Sequence, residues 1–231
     1  MKQTKRLFGL LVMTAITAYA CVKSRQESNP SPSSVFASAP TKVKSQNELL
    51  SASPFTKEVG SPVPHDSAMQ WIQNFTRTAL AATSSMANQC MVRAQDLAPI
   101  LKQKNCVGIL FYHGYDPQKG WVLMPLGINT SGAIIKSSSV ASSIGVISWD
   151  KAKALKAAYK NVATSLVEGE FFGANTFERL MGIGKATRIQ VRKGINDTGE
   201  CLILNNADVT NSLYYEDRSM PCPTICPTDG L

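Results

Sequence analysis

The sequence predicts an α+β domain made of two tandem units, each with the order helix, strand, helix, strand, strand, packed as a pseudo-symmetric pair. Two observations indicate this fold. An apolar stripe with helical spacing occurs twice, and each stripe is followed by short apolar strands separated by Gly, Pro, Asp and Asn turns. The composition, 44% hydrophobic and 17% charged, excludes wholesale disorder. We place the units at residues 66–132 and 148–210, joined by a connector at 133–147.

The long helix that opens each unit is defined by its apolar stripe. The stripe positions recur 84 residues apart and are Ala68, Trp71, Phe75, Thr78 and Ala82 in the first copy and Ala152, Leu155, Tyr159, Val162 and Leu166 in the second. This period predicts one amphipathic helix in each unit. The second helix also carries four lysines, which we interpret as its solvated face: Lys151, Lys153, Lys156 and Lys160.

A short strand and a shorter helix follow in each unit. We expect the strands at residues 90–93 and 167–172, with Glu168 and Glu170 facing the same side of the second strand. The shorter helices carry apolar triplets 80 residues apart, namely Leu97, Ile100 and Leu101 in the first copy and Phe177, Leu180 and Met181 in the second. Asp96 is expected to cap the first of these helices, and Gly182 and Gly184 to end the second.

A β-hairpin closes each unit. Its first strand carries Ile109, Phe111 and Gly114 in the first copy and Ile189, Val191 and Gly194 in the second. Turn-forming residues follow at 116–120 and 196–199, and return strands at 121–126 and 201–204. One unit alone has an apolar sheet face with little to cover it, so we expect the two units to share a core or one sheet. Few aligned positions are identical, and a chance likeness of two short αβ units is the alternative to a duplication.

The N-terminus has the features of an export signal. Basic residues at 2–6 precede an apolar run at 7–20 that is too short to span a bilayer. The run ends Ala18-Tyr19-Ala20-Cys21, which resembles a bacterial lipobox, although Ala stands where Leu is commonest. The resemblance implies a signal peptide at 1–20 and lipid attachment at Cys21; the alternative is ordinary secretion with Cys21 an incidental thiol. No acidic residue follows Cys21 directly, which favours the periplasmic face.

The segment at 21–65 is predicted to be a disordered linker. Residues 22–65 include 10 Ser and 6 Pro but few large apolar residues. Such a segment cannot bury enough surface to offset the entropy of ordering it. We therefore expect a flexible spacer between the membrane and the domain.

Five cysteines remain once Cys21 is set aside. Cys222 and Cys226, in a Pro-rich tail at 211–231, are expected to form a local disulfide; the alternative is half of a zinc site. The two histidines of the sequence, His65 and His113, have no partner at ligand spacing. Cys90 and Cys106 lie on two predicted strands and are possible neighbours, whereas Cys201 is interpreted as a small buried hydrophobic residue.

No catalytic motif is visible in the sequence. Gly-x-Ser-x-Gly, His-Glu-x-x-His and phosphate-binding glycine loops are all missing. Cys106 and His113 are the strongest catalytic candidates, but they lie seven residues apart on one predicted strand and should point to opposite faces. The formal charge of +8 includes three residues of the export signal, and the other basic residues are scattered. Nucleic acid is therefore not an expected partner.

Residues 105–127, with the run Asn105-Cys106-Val107-Gly108-Ile109, and the tail at 218–227 resemble a family of small uncharacterised proteins common in Bacteroidota. That family carries a Cys-x-Gly-Ile strand, a glycine-turned hairpin and a C-terminal Pro-Cys-Pro…Cys run. The likeness covers about a third of this chain, residues 152–159 included. This chain departs from the family by its second copy, which has Ala186-Thr187-Arg188 where the first has Cys-x-Gly. The resemblance implies a lineage and a fold but no activity.

The predicted tether, together with the lack of a catalytic motif, leads us to expect a membrane-tethered envelope lipoprotein. We expect a binding or assembly module with a protein partner in the envelope and with no cofactor or metal. An enzyme of unrecognised type is one alternative. An inhibitor or immunity-type protein that binds a secreted hydrolase is the other.

Overall fold

The structure is a computed structural model that describes residues 53–81, 88–163, 167–182, 185–209, 215–217, 220–222 and 231. The predicted export signal, Cys21, most of the predicted linker and Cys226 lie outside the described residues. Within the described part, no helix is both long and apolar enough to cross a membrane.

The predicted order of helix, strand, helix, strand, strand occurs in both halves of the structure, with three further short strands outside the predicted units. The first half contains strand β1 (Ser61–Val63), helix α1 (His65–Ala81), strand β2 (Gln89–Arg93), helix α2 (Ala94–Leu101), strand β3 (Cys106–Asp116) and strand β4 (Gly120–Asn129). The second half contains helix α3 (Trp149–Val162), strand β5 (Gly169–Gly173), helix α4 (Ala174–Gly182) and strands β6 (Arg188–Asn196), β7 (Gly199–Asn206), β8 (Tyr215–Asp217) and β9 (Met220–Cys222). The α+β class is therefore correct.

The two hairpin turns form where the sequence predicts them, and for the same reason. In the first turn the side chain of Asp116 accepts hydrogen bonds from two backbone N–H groups, and Asn196 does the same in the second. The return strands begin at Gly120 and Gly199, which have φ of +77° and +129°, a region that other residues rarely adopt.

The halves are joined by exchanged strands. One sheet has the order β1-β8-β7-β6-β2 and the other β4-β3-β5-β9. Strand β2 of the first half therefore pairs antiparallel with β6 of the second, and β5 of the second half pairs antiparallel with β3 of the first. The long helices are exchanged too, because α1 packs on β6 and α3 packs on β3. Each half is thus completed by the other.

The core is arranged in layers. Alternate residues of β3 face opposite ways: Ile109 and Phe111 point to the other sheet, whereas Leu110 and Tyr112 point towards α3. Apolar residues of β6 and β7 meet the first pair, so one cluster fills the space between the sheets. A second cluster lies under α3 and a third under α1, which gives the layer order α1, sheet, sheet, α3.

The predicted linker at 21–65 is wrong over its last residues. Residues 53–65 are folded onto the domain, with β1 at the edge of one sheet. Phe55 is only 6% exposed, and its ring meets the edge of Phe171 at 5.0 Å between ring centres. The N–H of Gly173 donates to the carbonyl of Val59 at 2.8 Å. Composition favoured disorder, but the few apolar residues in this stretch are the ones that the core buries.

Three local predictions also need correction. Two predicted stripe positions are not buried: Thr78 is exposed on α1, and Val162, the last residue of α3, is 43% exposed. Asp96 does not cap α2, because the helix begins at Ala94 and its N-cap position is Arg93. Asp96 lies in the first turn and accepts two hydrogen bonds from the Arg93 guanidinium, at 2.8 and 3.0 Å. Lys156 is not on a solvated face: it is buried, and its ammonium group lies 4.1 Å from the ring centre of Tyr112. A lysine can bury its long stem over an aromatic ring when its ammonium group keeps polar partners.

Candidate functional site

The structure places the predicted catalytic pair far apart. Cys106 opens β3 and His113 lies near its other end, seven residues or roughly 23 Å of strand away. The Cys106 thiol donates to the carbonyl of Gly108 at 3.3 Å. Burial raises the pKa of this thiol, which disfavours the reactive thiolate. Cys106 and His113 therefore do not form a nucleophile and base.

The other cysteines are also buried. Cys90 donates from its thiol to the carbonyl of Trp121 at 3.3 Å, and burial raises its pKa to about 12. Cys90 and Cys106 are both free thiols, so their predicted proximity does not lead to a disulfide. Cys201 is buried in the cluster under α1, as the sequence predicts. The side chains of Cys222 and Cys226 lie outside the described residues, and their disulfide stays a prediction.

The carboxylates of Glu168 and Glu170 do not face the same side, which corrects the sequence-based expectation. Glu168 precedes β5, which begins at Gly169, and pairs with Lys160 at 2.7 Å and Lys156 at 3.1 Å. Burial tends to raise the pKa of Glu168, but its bonds to the two lysines outweigh burial and lower it. Glu170 is buried and accepts the backbone N–H of Leu202 at 2.8 Å. The two carboxylates therefore have separate structural roles.

Polar side chains from both halves meet between the sheets in a group we call the inter-sheet cluster: His113, Trp121, Tyr159 and Lys193. The indole N–H of Trp121 donates to Nδ1 of His113 at 2.9 Å. The imidazole stacks on Trp121 and Tyr159, with ring centres 5.6 and 5.1 Å away. The Lys193 ammonium donates to the Tyr159 hydroxyl at 3.0 Å and lies 4.9 Å from the ring centre of Trp121.

The electrostatics of the inter-sheet cluster follow from its burial. Burial, and then the charge of Lys193, lower the pKa of His113 well below its usual value. Burial also lowers the pKa of Lys193, although Glu200 and Glu170 oppose this shift. Each of the four side chains is at most 5% exposed. The inter-sheet cluster therefore lies in the interior of the protein and joins its two halves.

An open cavity of about 240 Å³ lies at the edge of the second sheet, between α2, β4 and the connector. We call it the edge cavity. Its apolar lining is Pro99, Ile100, Pro125, Leu126, Ile135, Ala141 and Val146. Polar lining comes from Gln95, Asp96, Gln103, Ser137 and Ser139. An apolar surface with a few polar groups is the usual character of a binding site.

The edge cavity forms because the connector leaves β4 uncovered at Pro125. Backbone N–H groups of the connector bond to the carbonyl of Leu123, from Ser143 at 2.9 Å, and to that of Gly127, from Ile135 at 2.8 Å. Pro125, between these two residues, has no N–H with which to continue the ladder. The connector therefore covers β4 on both sides of the cavity but not across it.

The rim marks the edge cavity as more than a packing defect. Val146 lines the cavity and is 65% exposed, and Ile144, two residues before it, is 38% exposed. Both flank Gly145, which has a φ of +117°. An exposed apolar rim beside a cavity is typical of an interaction site.

The edge cavity was not predicted from the sequence. Its walls come from three separate segments, and the sequence contains one weak signal for it, a proline inside a predicted strand at Pro125. The inter-sheet cluster was also missed, except for His113. Lys193 interrupts the apolar alternation of β6 and is the residue that could have indicated it.

Within the described part of the chain, no three His, Cys, Asp or Glu residues form a group that could hold a metal ion. Comparisons of the chain with protein-family models, curated proteins and solved structures found no match. Its function is therefore inferred from its residues and their geometry.

Proposed function

We propose that this protein is a membrane-tethered envelope lipoprotein, anchored at Cys21, whose folded domain is a binding module. The binding site is the edge cavity. The observation that carries this proposal is the conjunction of an open, mostly apolar cavity with the exposed apolar rim at Val146. Apolar surface kept in contact with water is destabilising unless another molecule covers it.

The size and chemistry of the edge cavity favour one side chain of a partner protein as the occupant. At about 240 Å³ it is smaller than the usual range of pockets for drug-sized ligands, roughly 300–1,000 Å³. The hydroxyl group of Ser139 and the amide of Gln95 lie around the apolar lining. They offer hydrogen bonds to the backbone of an extended segment whose apolar or aromatic side chain enters the cavity.

The alternative of an enzyme is less well supported. The thiols and the imidazole with catalytic potential are buried, and the pKa shifts of Cys90 and His113 favour their neutral forms. The catalytic candidates do not line the edge cavity. A reproducible hydrolytic or redox activity of the purified protein would contradict the binding proposal.

The proposed lineage is a duplication, with the two halves forming a pseudo-symmetric pair. The recurring order of five elements and the reciprocal exchange of strands support it. In a dimer of single units, each unit would be completed by its identical partner. Fusion of the two units into one chain would give the exchange of strands seen here.

Binding at the edge cavity is tested by cross-linking in the full-length, membrane-tethered protein. A photoreactive amino acid replaces Ser139, and the adduct is compared with and without Ala141→Trp, which fills the cavity. Val162→Trp, an exposed residue of α3 outside the cavity, is the matched control. We expect one protein adduct that Ala141→Trp abolishes and Val162→Trp keeps. An adduct equally strong in both variants contradicts the assignment of the site.

The tether is tested separately. Labelled palmitate should enter the wild-type protein and the Cys90→Ala control, and both should partition into the detergent phase. Cys21→Ala should lose the label and move to the aqueous phase, because the acyl chains attached to Cys21 provide the membrane affinity of the wild type. Recovery of Cys21→Ala in the detergent phase argues against lipidation at this residue.

A further inference from the structure

We propose that His113 makes the packing between the two sheets acid-sensitive: the folded protein holds this imidazole neutral, and acid destabilises the join between the halves because the ring takes up a proton only when that join opens. The proposal concerns the inter-sheet cluster and is independent of the edge cavity.

The geometry around His113 suits the neutral ring only. Its Nδ1 accepts the indole N–H of Trp121 at 2.9 Å, so this nitrogen carries no proton and the neutral ring carries its proton on Nε2. An imidazolium has a proton on both nitrogens, and the N–H of Nδ1 would then point at the N–H of Trp121. The ring has no room to turn away, because Trp121 and Tyr159 stack against it and it is 2% exposed.

The charges around His113 come from several elements. The ammonium of Lys193 on β6 disfavours a second positive charge, and burial acts in the same direction. Tyr159 on α3 is a titratable member of the inter-sheet cluster, and Glu170 on β5, Glu200 on β7 and Cys90 on β2 lie around it. Glu170 uses its carboxylate to accept the N–H of Leu202 at 2.8 Å. These contacts involve both halves, so a change at His113 acts on the packing between them.

The direction of the pH effect follows from linkage. The folded state lowers the pKa of His113, whereas the unfolded chain binds a proton at about pH 6.5. Stability that depends on the neutral ring is therefore present above pH 6.5 and is lost as the pH falls below it. If His113 stays neutral in the folded state, the equilibrium constant for unfolding rises about tenfold between pH 7.5 and pH 5.5.

Two histidines are present in the whole sequence, which supplies a matched control. We suggest denaturant unfolding of the full-length chain at pH 7.5 and 5.5 for the wild type, His113→Gln and His65→Gln. The glutamine oxygen can accept the Trp121 N–H but does not titrate. The wild type and His65→Gln should show the tenfold change, and His113→Gln less than about twofold. Equal pH responses of His113→Gln and the wild type would overturn the proposal.

A second measurement uses the wild type and does not depend on how His113→Gln folds. Nitrogen-15 NMR of the imidazole reports the protonation of each ring nitrogen in the folded protein between pH 7.5 and 5.5. We expect His113 to stay neutral, with its proton on Nε2, as long as the protein is folded. Protonation of His113 with a midpoint near 6.5 in the folded state would also refute the proposal.

Discussion

The close approach of the paired strands β3 and β5 can be tested at a single glycine. Gly108 lies opposite Gly173, where the exchanged strand of the second half meets the first. A Cβ atom added at Gly108 would press into the backbone carbonyl oxygen of Phe172 and lie 2.6 Å from the ring of Phe171. Because a backbone carbonyl cannot move aside as a flexible side chain can, we expect Gly108→Ala to break the hydrogen bonds at this end of the β3–β5 ladder.

The expected cost of Gly108→Ala follows from what the ladder would lose. Overpacking a core position costs about 1–3 kcal/mol, and each lost backbone hydrogen bond about 1 kcal/mol. We therefore expect a loss of about 2–4 kcal/mol in the free energy of unfolding. Gly182→Ala is the control, because an added Cβ there meets no atom within 4 Å. Urea unfolding measures the stability of both variants. If Gly108→Ala and Gly182→Ala are equally stable, within about 0.5 kcal/mol, the close approach of β3 and β5 at Gly108 is refuted.

Three further predictions address the folded N-terminal stretch and the cysteines. Phe55→Ala should lower the free energy of unfolding by about 3 kcal/mol, because truncation of a buried phenylalanine leaves a cavity. A loss below about 0.5 kcal/mol in urea unfolding would show that this stretch is not packed on the domain. Cys90 and Cys106 should resist maleimide in the native protein and react after denaturation, because burial excludes the reagent and raises the pKa of both thiols. Mass spectrometry measures this labelling, and rapid native labelling of either thiol contradicts the packing. Mass spectrometry of non-reduced peptides should show Cys222 and Cys226 joined in one disulfide, and two free thiols at these positions would contradict that prediction.

The order of helices and strands was predictable because its determinants are local. Apolar spacing, such as the stripe through Ala68 and Phe75, predicts a helix from the local sequence alone, and Asp116 and Asn196 turn the hairpins with their own side chains. Strand partners are not local. Nothing in the spacing of Cys90 and Val92 indicates that their strand pairs with β6, about 100 residues later.

The candidate site was not predictable for a related reason. The edge cavity depends on where the connector leaves β4, and this is decided by two backbone hydrogen bonds that Leu123 and Gly127 accept. Backbone groups of this kind carry no residue-specific signal. The burial of Lys156 was hidden in the same way, because its neighbours Glu168 and Tyr112 come close only in the folded protein.

The exchange of strands has a consequence for synthesis of the chain. When Asn129 leaves the ribosome, β2 and β3 are complete, but their partners β6 and β5 are not yet made. At about 5–20 residues per second, translation up to Asn196 takes roughly 3–13 seconds more. Two strand edges stay unpaired during this time and can adhere to other nascent chains. The sheets of the first half therefore cannot be completed until the second half has been made, and a chaperone that shields those edges should raise the yield of folded protein.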